Sequence, residues 1–387
     1  MLSNRIQSVK PSTTLAINAK AIELIKQGKD ILKFGTGEPD CDTPQNIKDA
    51  AKRAIDEGFT KYTDATGIKE LKEAVVQKLK RDNHIETTLS NVIITNGGKQ
   101  ALFNLFMSVL NPGDEVIIPS PYWLSYSDMV TLCEGKNVFV DTRSNHFKLT
   151  ADMVRPAITP KTKLLILNSP SNPTGMTIEK EEIERIAKLA LEHNFYLISD
   201  EVYEYFLYDG RQNFSVASMS EMQDRVFTVN AVSKTYAMTG WRIGYVAGPA
   251  EIIKKMGDMQ SHTTSNPCSI AQKAALEALT GDQSSIGIMA EEFRKRRDYV
   301  FEEMNRLPGF KLVQPEGAFY AFPDVSGCFN DQLKNSFDFA TMLLEKAEVA
   351  VIPGGAFGQA GDHCIRFSYA SSMKDIEEGL RRIRAVL

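Results

Sequence analysis

The stretch S-K-T-Y-A-M-T-G-W-R-I-G occupies residues 233–244, and an apolar run at 226–230 leads directly into it. Such a run is typical of a strand, so Lys234 lies where a strand ends, beside Ser233 and eight residues before Arg242. A lysine amine forms an imine with an aldehyde, while a hydroxyl and a guanidinium bind phosphate. The stretch therefore predicts a site for a molecule that carries both an aldehyde and a phosphate. Taken alone, it could equally be a solvated Lys and Arg beside a turn.

Length and charge restrict the class of protein. The chain has 387 residues, which exceeds one ordinary core, so we expect two domains or one large α/β domain. Its formal net charge is -4 at pH 7, which gives no electrostatic basis for binding nucleic acid or an anionic membrane. No apolar run reaches the ~18 residues of a membrane span, and we expect no signal peptide.

The cysteines and histidines favour a cytoplasmic protein without a metal site. The cysteines are odd in number and scattered, at Cys41, Cys133, Cys268, Cys328 and Cys364. This pattern suits reduced thiols rather than a disulfide framework. The five histidines show no metal-ligand spacing with one another or with the cysteines.

Short apolar runs alternate with amphipathic helical patterns through the middle of the chain. The runs lie at 91–95, 115–118, 137–140, 164–167, 195–198 and 226–230. This alternation predicts an α/β fold with a mostly parallel sheet covered by helices on both faces. Ligands bind beyond the carboxyl ends of strands in such sheets, where we expect Trp123, Asn172, Asp200 and Lys234.

Two glycine-containing turns are candidate ligand contacts. Gly97-Gly98 separates the strand at 91–95 from an apolar helix, and free N–H groups at a helix start bind anions. Gly37 lies in a second turn, where glycine permits close approach of the backbone to a ligand. Plain tight turns are the alternative for both, and the first turn lacks the G-x-G-x-x-G spacing of a dinucleotide site.

The candidate residues together match the ring chemistry of pyridoxal 5'-phosphate. Lys234 would hold the aldehyde and later move the proton, while Asp200 would pair with the pyridine nitrogen and keep it protonated. Asn172 and Tyr203 would hydrogen-bond the phenolic oxygen of the ring. Trp123 would stack on the ring face.

The anionic groups of cofactor and substrate also have candidate partners. Gly98, Ser233 and Arg242 would neutralise the cofactor phosphate. A substrate carboxylate needs an arginine, and Arg366 is the candidate, although it stands within the apolar run at 364–369. Strand alternation alone favours the solvent face for this side chain.

These motifs resemble those of the class I pyridoxal-phosphate-dependent aminotransferases of fold type I, nearest the bacterial-type aspartate aminotransferases. The resemblance runs from about residue 10 to the end of the chain. Its most specific segments are 97–101, 168–175, 199–203, 233–234 and 239–244. It implies a large domain at 46–289 and a small α+β domain built from 1–45 and 290–387.

The resemblance also implies a homodimer whose active sites are shared between subunits. Tyr62 would reach the cofactor phosphate of the neighbouring subunit, and the backbone of Gly37 would touch substrate. Trp123 and Asn172 would contact substrate as well as cofactor. Lys99 would lie against the cofactor and bind the distal carboxylate of a dicarboxylic substrate, with possible help from the loop at 10–14.

The activity implied is transfer of the amino group between L-aspartate and 2-oxoglutarate by a ping-pong mechanism, giving oxaloacetate and L-glutamate. A prephenate or aromatic aminotransferase is the alternative. A less favoured alternative is a pyridoxal-phosphate-dependent lyase on the same fold. A nicotinamide oxidoreductase lacks its glycine fingerprint, and a regulator of this fold would need a DNA-binding module, for which the residues before 31 leave no room.

Overall fold

The computed structural model describes residues 2–7 and 13–387. Its strands, in chain order, are β1 (Leu32–Lys33), β2 (Val92–Thr95), β3 (Glu115–Ser120), β4 (Lys136–Asp141), β5 (Thr162–Asn168), β6 (Tyr196–Asp200), β7 (Val226–Ala231), β8 (Gly244–Ala247), β9 (Tyr320–Ala321), β10 (Val349–Ala350), β11 (Ile352–Pro353) and β12 (Ile365–Ser368).

Helices account for most of the remaining regular structure. They are α1 (Asn4–Gln7), α2 (Thr13–Lys26), α3 (Gln45–Asp56), α4 (Lys69–Asn83), α5 (Gly97–Val109), α6 (Ser125–Leu132), α7 (Ala151–Val154), α8 (Lys180–His193), α9 (Val232–Thr235), α10 (Ala250–Thr263), α11 (Ser269–Thr280), α12 (Ser284–Asn305), α13 (Ser336–Met342) and α14 (Met373–Val386). Within the described ranges, none of them is long and apolar enough to cross a membrane.

A seven-stranded sheet forms the centre of the molecule, in the order β2-β8-β7-β6-β5-β3-β4. Strands β3 to β7 pair in parallel, whereas β8 runs antiparallel to both of its neighbours. The predicted α/β fold with a mostly parallel sheet is therefore confirmed.

Apart from the edge strand β4, the sheet is buried on both faces, which explains its nearly unbroken apolar strands. Successive residues enter two different cores: Leu165 and Leu197 pack in one, while Ile166 and Ile198 pack in the other. Since alternate side chains of a strand point to opposite faces, helices must cover each side. The polar residues of the candidate site are thus confined to the strand ends.

A separate apolar core joins the two ends of the chain. Phe34 stacks on Phe367 with ring centroids 4.1 Å apart, and β1 pairs in parallel with β10. Tyr203 and Phe206, from the middle of the chain, also pack in this core. The division into domains at 1–45 with 290–387 and at 46–289 remains a prediction.

Candidate active site

A cavity of about 760 Å³ opens beyond the carboxyl ends of β3, β5, β6 and β7. Its lining contains all but one of the residues that the sequence predicts for the site: Gly37, Gly98, Lys99, Trp123, Asn172, Asp200, Tyr203, Ser233, Lys234, Arg242 and Arg366. Its size lies within the range of small-molecule sites. The fold therefore brings candidate residues from different strand ends together around a single cavity.

Lys234 lies on α9, immediately after β7, and its amine points into the cavity. The amine donates a hydrogen bond to the carbonyl oxygen of Gly37. Burial lowers the pKa of Lys234 to about 8; the nearby Arg366 and Arg242 act in the same direction and Glu38 opposes them. A lysine with this pKa exchanges a proton readily near neutral pH, as a general acid–base group must.

Asp200 ends β6 and is buried, with 6% of its surface exposed. Its Oδ2 accepts a hydrogen bond of 2.6 Å from the hydroxyl of Tyr126 on α6. Burial raises the pKa of Asp200 to about 6, against the lowering effect of that hydrogen bond. A nearby positive charge strongly stabilises the ionised form of a buried carboxylate. A protonated pyridine nitrogen would supply that charge.

Arg366 is buried on β12, with 4% of its surface exposed, so its side chain does not take the solvent face that strand alternation alone favours, and it lines the cavity instead. All four residues of β12 are buried: Ile365 and Phe367 pack in the apolar core, whereas Arg366 faces the cavity rather than solvent. Its Nη1 donates to Oδ1 of Asn172 at 2.8 Å and its Nη2 donates to the carbonyl oxygen of Gly35 at 2.7 Å. Among the described residues, no group hydrogen-bonds to its buried Nε, which is available to an anion.

Aromatic rings surround this arginine. Its guanidinium lies 4.7 Å from the ring centre of Tyr320 and 4.9 Å from that of Phe357. The hydroxyls of Tyr203 and Tyr320 are 2.7 Å apart and hydrogen-bonded. Tyr203 and Asn172 thus hydrogen-bond to other protein groups. Each side chain can still form a further hydrogen bond to the phenolic oxygen of the cofactor ring, the contact that the sequence predicts for both.

The opposite end of the cavity is suited to a phosphate. Gly98 lies in the first turn of α5, whose N–H groups and dipole favour an anion. Arg242 has a left-handed backbone (φ 59°), and its Nη1 donates to the carbonyl oxygen of Thr239 at 2.8 Å. A Cβ at Gly97 would lie 2.3 Å from Nη2 of Arg242, so glycine there lets the guanidinium reach the helix start. With Ser233 in the same lining, these donors fit pyridoxal phosphate.

Lys99 lies at the rim of the cavity. Its side chain is exposed, and its Nζ lies 5.1 Å from the ring centre of Trp123. Partial burial lowers the pKa of Lys99, the positive Arg242 lowers it further, and Asp128 opposes both. The ammonium of Lys99 would attract a negatively charged group of a ligand bound at this rim.

One predicted site residue lies elsewhere. Tyr62 is 91% exposed and is not part of the cavity lining. Within the loop at 10–14, residues 10–12 lie outside the described residues. Conversely, sequence reasoning missed Tyr126, Tyr320 and Asn168, which also line the cavity.

Comparisons with known proteins agree with this geometry. The family model described as aminotransferase class I and II matches residues 29–383. An aspartate aminotransferase of Bacillus sp. (strain YM-2) is 49% identical over 99% of this chain and 98% of its own. A probable aspartate/prephenate aminotransferase of Rickettsia bellii is 48% identical, with coverage of 99% and 98%.

The solved structures agree as well. Aspartate aminotransferase from Thermus thermophilus with maleate superposes with a TM-score of 0.95 at 46% identity, over 100% of both chains. The family match spans nearly the whole chain, and the relatives match it from end to end. The chain therefore belongs to the class I and II aminotransferases and is a pyridoxal-phosphate-dependent enzyme of that family.

Proposed function

We propose that this enzyme transfers the amino group between L-aspartate and 2-oxoglutarate, giving oxaloacetate and L-glutamate in a ping-pong cycle. The observation that carries this proposal is the pair of cations in one cavity, Arg366 in its interior and Lys99 at its rim. A dicarboxylic amino acid offers one carboxylate to each. The names of the Bacillus and Thermus relatives, and the dicarboxylate maleate in the latter, support the same substrate class.

Arg366 binds the carboxylate next to the reacting carbon in this proposal. Its planar fork suits a carboxylate, and two of its nitrogens are already fixed by Asn172 and Gly35. The guanidinium is therefore oriented before substrate arrives. Its buried Nε supplies a donor that has no partner within residues 2–7 and 13–387.

Lys234 acts as the proton carrier. Pyridoxal phosphate, when bound, supplies an aldehyde that takes up the amino group and a ring that withdraws electrons from the α carbon. Lys234 would remove the proton from the α carbon of the substrate and return it after amino transfer, and a pKa of about 8 suits its amine to both tasks. Asp200 keeps the ring nitrogen protonated, and Tyr126 holds that carboxylate in place.

The remaining lining residues bind and orient the cofactor. Gly98, Ser233 and Arg242 hold the phosphate, while Trp123 covers the ring. Trp123 and Asn172 also touch substrate, as does the backbone of Gly37, whose carbonyl holds the lysine amine in the present conformation. Tyr203 donates to the phenolic oxygen of the ring.

The enzyme acts in the cytoplasm as a homodimer with shared active sites. The exposed ring of Tyr62 supports this arrangement, because a large aromatic left in solvent is available to contact the cofactor phosphate of a second subunit. The five free cysteines support a reducing compartment.

A second candidate is a prephenate or aromatic aminotransferase. The cavity has an apolar side formed by α5 and α6, with Leu102, Phe103, Met129 and Leu132 in its lining. Such a wall could receive a ring-bearing substrate, and the Rickettsia relative is named for both substrates.

A panel of amino donors and 2-oxo acid acceptors on the purified enzyme tests both candidates. We expect aspartate with 2-oxoglutarate to give oxaloacetate and glutamate in equal amounts, with parallel double-reciprocal plots. A higher kcat/KM for phenylalanine or for prephenate than for the dicarboxylic substrates would favour the second candidate. Release of ammonia with pyruvate, without amino transfer, would contradict both and indicate a lyase.

A further inference from the structure

A buried polar network lies behind the cavity, between α4 and the ends of β6 and β7. Its members are each less than 9% exposed, and we call them the Lys78 network: Lys78, Asn83, Ser199, Glu201, Glu204, Ser215 and Asn230. Since alternate side chains of a strand point to opposite faces, Ser199 lies on the face of β6 opposite to Asp200. Of the network members, Asn230 also lines the cavity.

An ion pair stands at the centre of this network. Nζ of Lys78 donates to Oε1 of Glu204 at 2.5 Å and to Oδ1 of Asn83 at 2.6 Å. Nδ2 of Asn83 in turn donates to Glu204 at 2.7 Å and to Glu201 at 2.9 Å. The two buried carboxylates thus share the amide of Asn83, while the ammonium of Lys78 pairs with Glu204.

One branch of the network leads to Lys234. Oε1 of Glu204 accepts a hydrogen bond of 2.5 Å from Nδ2 of Asn230, and Oδ1 of Asn230 accepts one of 2.8 Å from the backbone N–H of Ala231. Ala231 ends β7, and α9, which carries Lys234, begins at the next residue. The ion pair therefore fixes the point where the lysine-bearing turn leaves the sheet.

A second branch holds the residues on either side of Asp200. Oε1 of Glu201 accepts from the hydroxyl of Ser199 at 2.7 Å, and Oε2 accepts from that of Ser215 at 2.5 Å. The backbone N–H of Glu201 also donates to the carbonyl oxygen of Val229 on β7 at 3.0 Å. The ends of β6 and β7 are thereby tied to each other.

We infer that the Lys78–Glu204 pair is a positioning device that sets the placement of Lys234 relative to Asp200. The inference rests on the roles proposed above for those two residues. Neither Lys78 nor Glu204 lines the cavity, so each acts through Asn230 and the strand ends. Proton transfer by Lys234 requires its amine to lie at a defined position relative to the cofactor ring, and the pair would fix that position.

A purely stabilising role is the competing explanation. Buried ion pairs seldom stabilise a fold more than apolar residues of similar size would, whereas loss of one partner alone is strongly destabilising. Two carboxylates with one ammonium are also a costly arrangement to bury. Replacing both Lys78 and Glu204 by apolar residues therefore distinguishes a stabilising role of the pair from a role in positioning Lys234.

Two double variants form the matched test: Lys78→Met with Glu204→Leu, and Lys78→Met with Glu204→Gln. Both remove one positive and one negative charge, so the formal charge of the network is unchanged. They differ in whether position 204 still offers an oxygen to Asn230. Asn230→Ser breaks the same link from the other side without touching a buried charge, and because Asn230 also lines the cavity, its effect is compared with that of the Leu double variant. Each holoenzyme is assayed for kcat, KM, melting temperature and the cofactor dissociation constant.

We expect the Leu double variant to melt close to the wild type, yet to lose about 10- to 100-fold in kcat, the order of loss that a misplacement of ~1 Å causes. KM for aspartate should change little, and cofactor binding should weaken. The Gln double variant should recover most of the kcat, and Asn230→Ser should match the Leu double variant. If the Leu double variant fails to fold, the other two variants still test the inference, because we expect a low kcat for Asn230→Ser and a nearly normal kcat for the Gln double variant.

The inference is overturned if the Leu and Gln double variants have the same kcat, or if kcat follows melting temperature across the set. Lys136→Met with Glu115→Gln is the control, because that 2.8 Å pair lies at the amino ends of β4 and β3, and its kcat should stay at the wild-type value. A Lys234→Ala enzyme with normal turnover would instead overturn the proposed function itself, and this inference with it.

Discussion

Tyr126 donates a hydrogen bond of 2.6 Å to the buried carboxylate of Asp200, and this bond joins α6 to the end of β6. Burial raises the pKa of Asp200 to about 6, and the phenol limits that rise by stabilising the charged form. The carboxylate therefore remains mostly ionised at pH 7, as pairing with a protonated pyridine nitrogen requires.

Removal of that donor should weaken the reaction without abolishing it. In Tyr126→Phe we expect kcat to fall by roughly 10-fold or more, since a hydrogen bond to a charged group is worth ~1.5–3 kcal/mol. Steady-state kinetics with aspartate measure the change. Tyr122→Phe is the control, because that ring stacks on Phe139 outside the large cavity, and an equal loss there would contradict the assignment.

Asp200 should be needed for the proton shift itself. Asp200→Ala should lower kcat by about 10²-fold or more, the order seen when preorganised charge is removed from a site, because an unprotonated ring is a poor electron acceptor. Asp200→Glu keeps the charge and should retain more activity. Single-turnover rates measure the step, and wild-type rates in Asp200→Ala would refute the pairing.

The raised pKa of Asp200 also has a consequence for stability. The folded state binds this proton more tightly than the unfolded chain, so stability is present below pH 4 and is lost as pH rises towards 6. The rise from 3.8 to about 6 corresponds to about 3 kcal/mol. Urea unfolding of cofactor-free protein at pH 4, 5 and 6 should show this fall in the wild type but not in Asp200→Asn, and identical pH profiles would contradict it.

Lys234 should be indispensable. Lys234→Ala should lose at least the ~10²–10⁴-fold that positioned proton transfer contributes. Borohydride treatment of the wild-type enzyme should attach the cofactor covalently, and peptide mapping should find it on Lys234. Attachment to any other lysine, or normal turnover of the variant, would reject the assignment.

Lys99 should decide the preference for acidic substrates. Lys99→Leu should lower kcat/KM for aspartate by roughly 10- to 150-fold, the equivalent of ~1.5–3 kcal/mol, and should change that for phenylalanine much less. Lys163→Leu is the control, since that ammonium lies 5.9 Å from the ring of Tyr196 and is absent from the cavity lining. Equal losses for both substrates would instead assign Lys99 to the cofactor or the fold.

Sequence predicted the strand ends of the large sheet well, because polar residues such as Asp200 interrupt fully apolar runs there. It selected Arg366 for the substrate carboxylate, and this side chain lines the cavity; strand alternation alone favoured solvent, because it does not distinguish a strand face that meets solvent from one that meets a site. It missed Tyr126, since a tyrosine in an amphipathic helix is typical of an ordinary core residue. The apolar run at 349–352 is divided between two sheets, as β10 and β11, a change of partner that no local pattern indicates.

The surroundings of Arg366 also determine when the enzyme becomes complete. Its guanidinium bonds to Gly35 and Asn172, which a ribosome makes long before it reaches position 366. A nascent chain can therefore contain Lys234, the proposed cofactor lysine, while it still lacks Arg366, the proposed anchor for the substrate. Any product that terminates before β12 lacks this anchor, so the anchor for substrate is among the last parts of the site to be assembled.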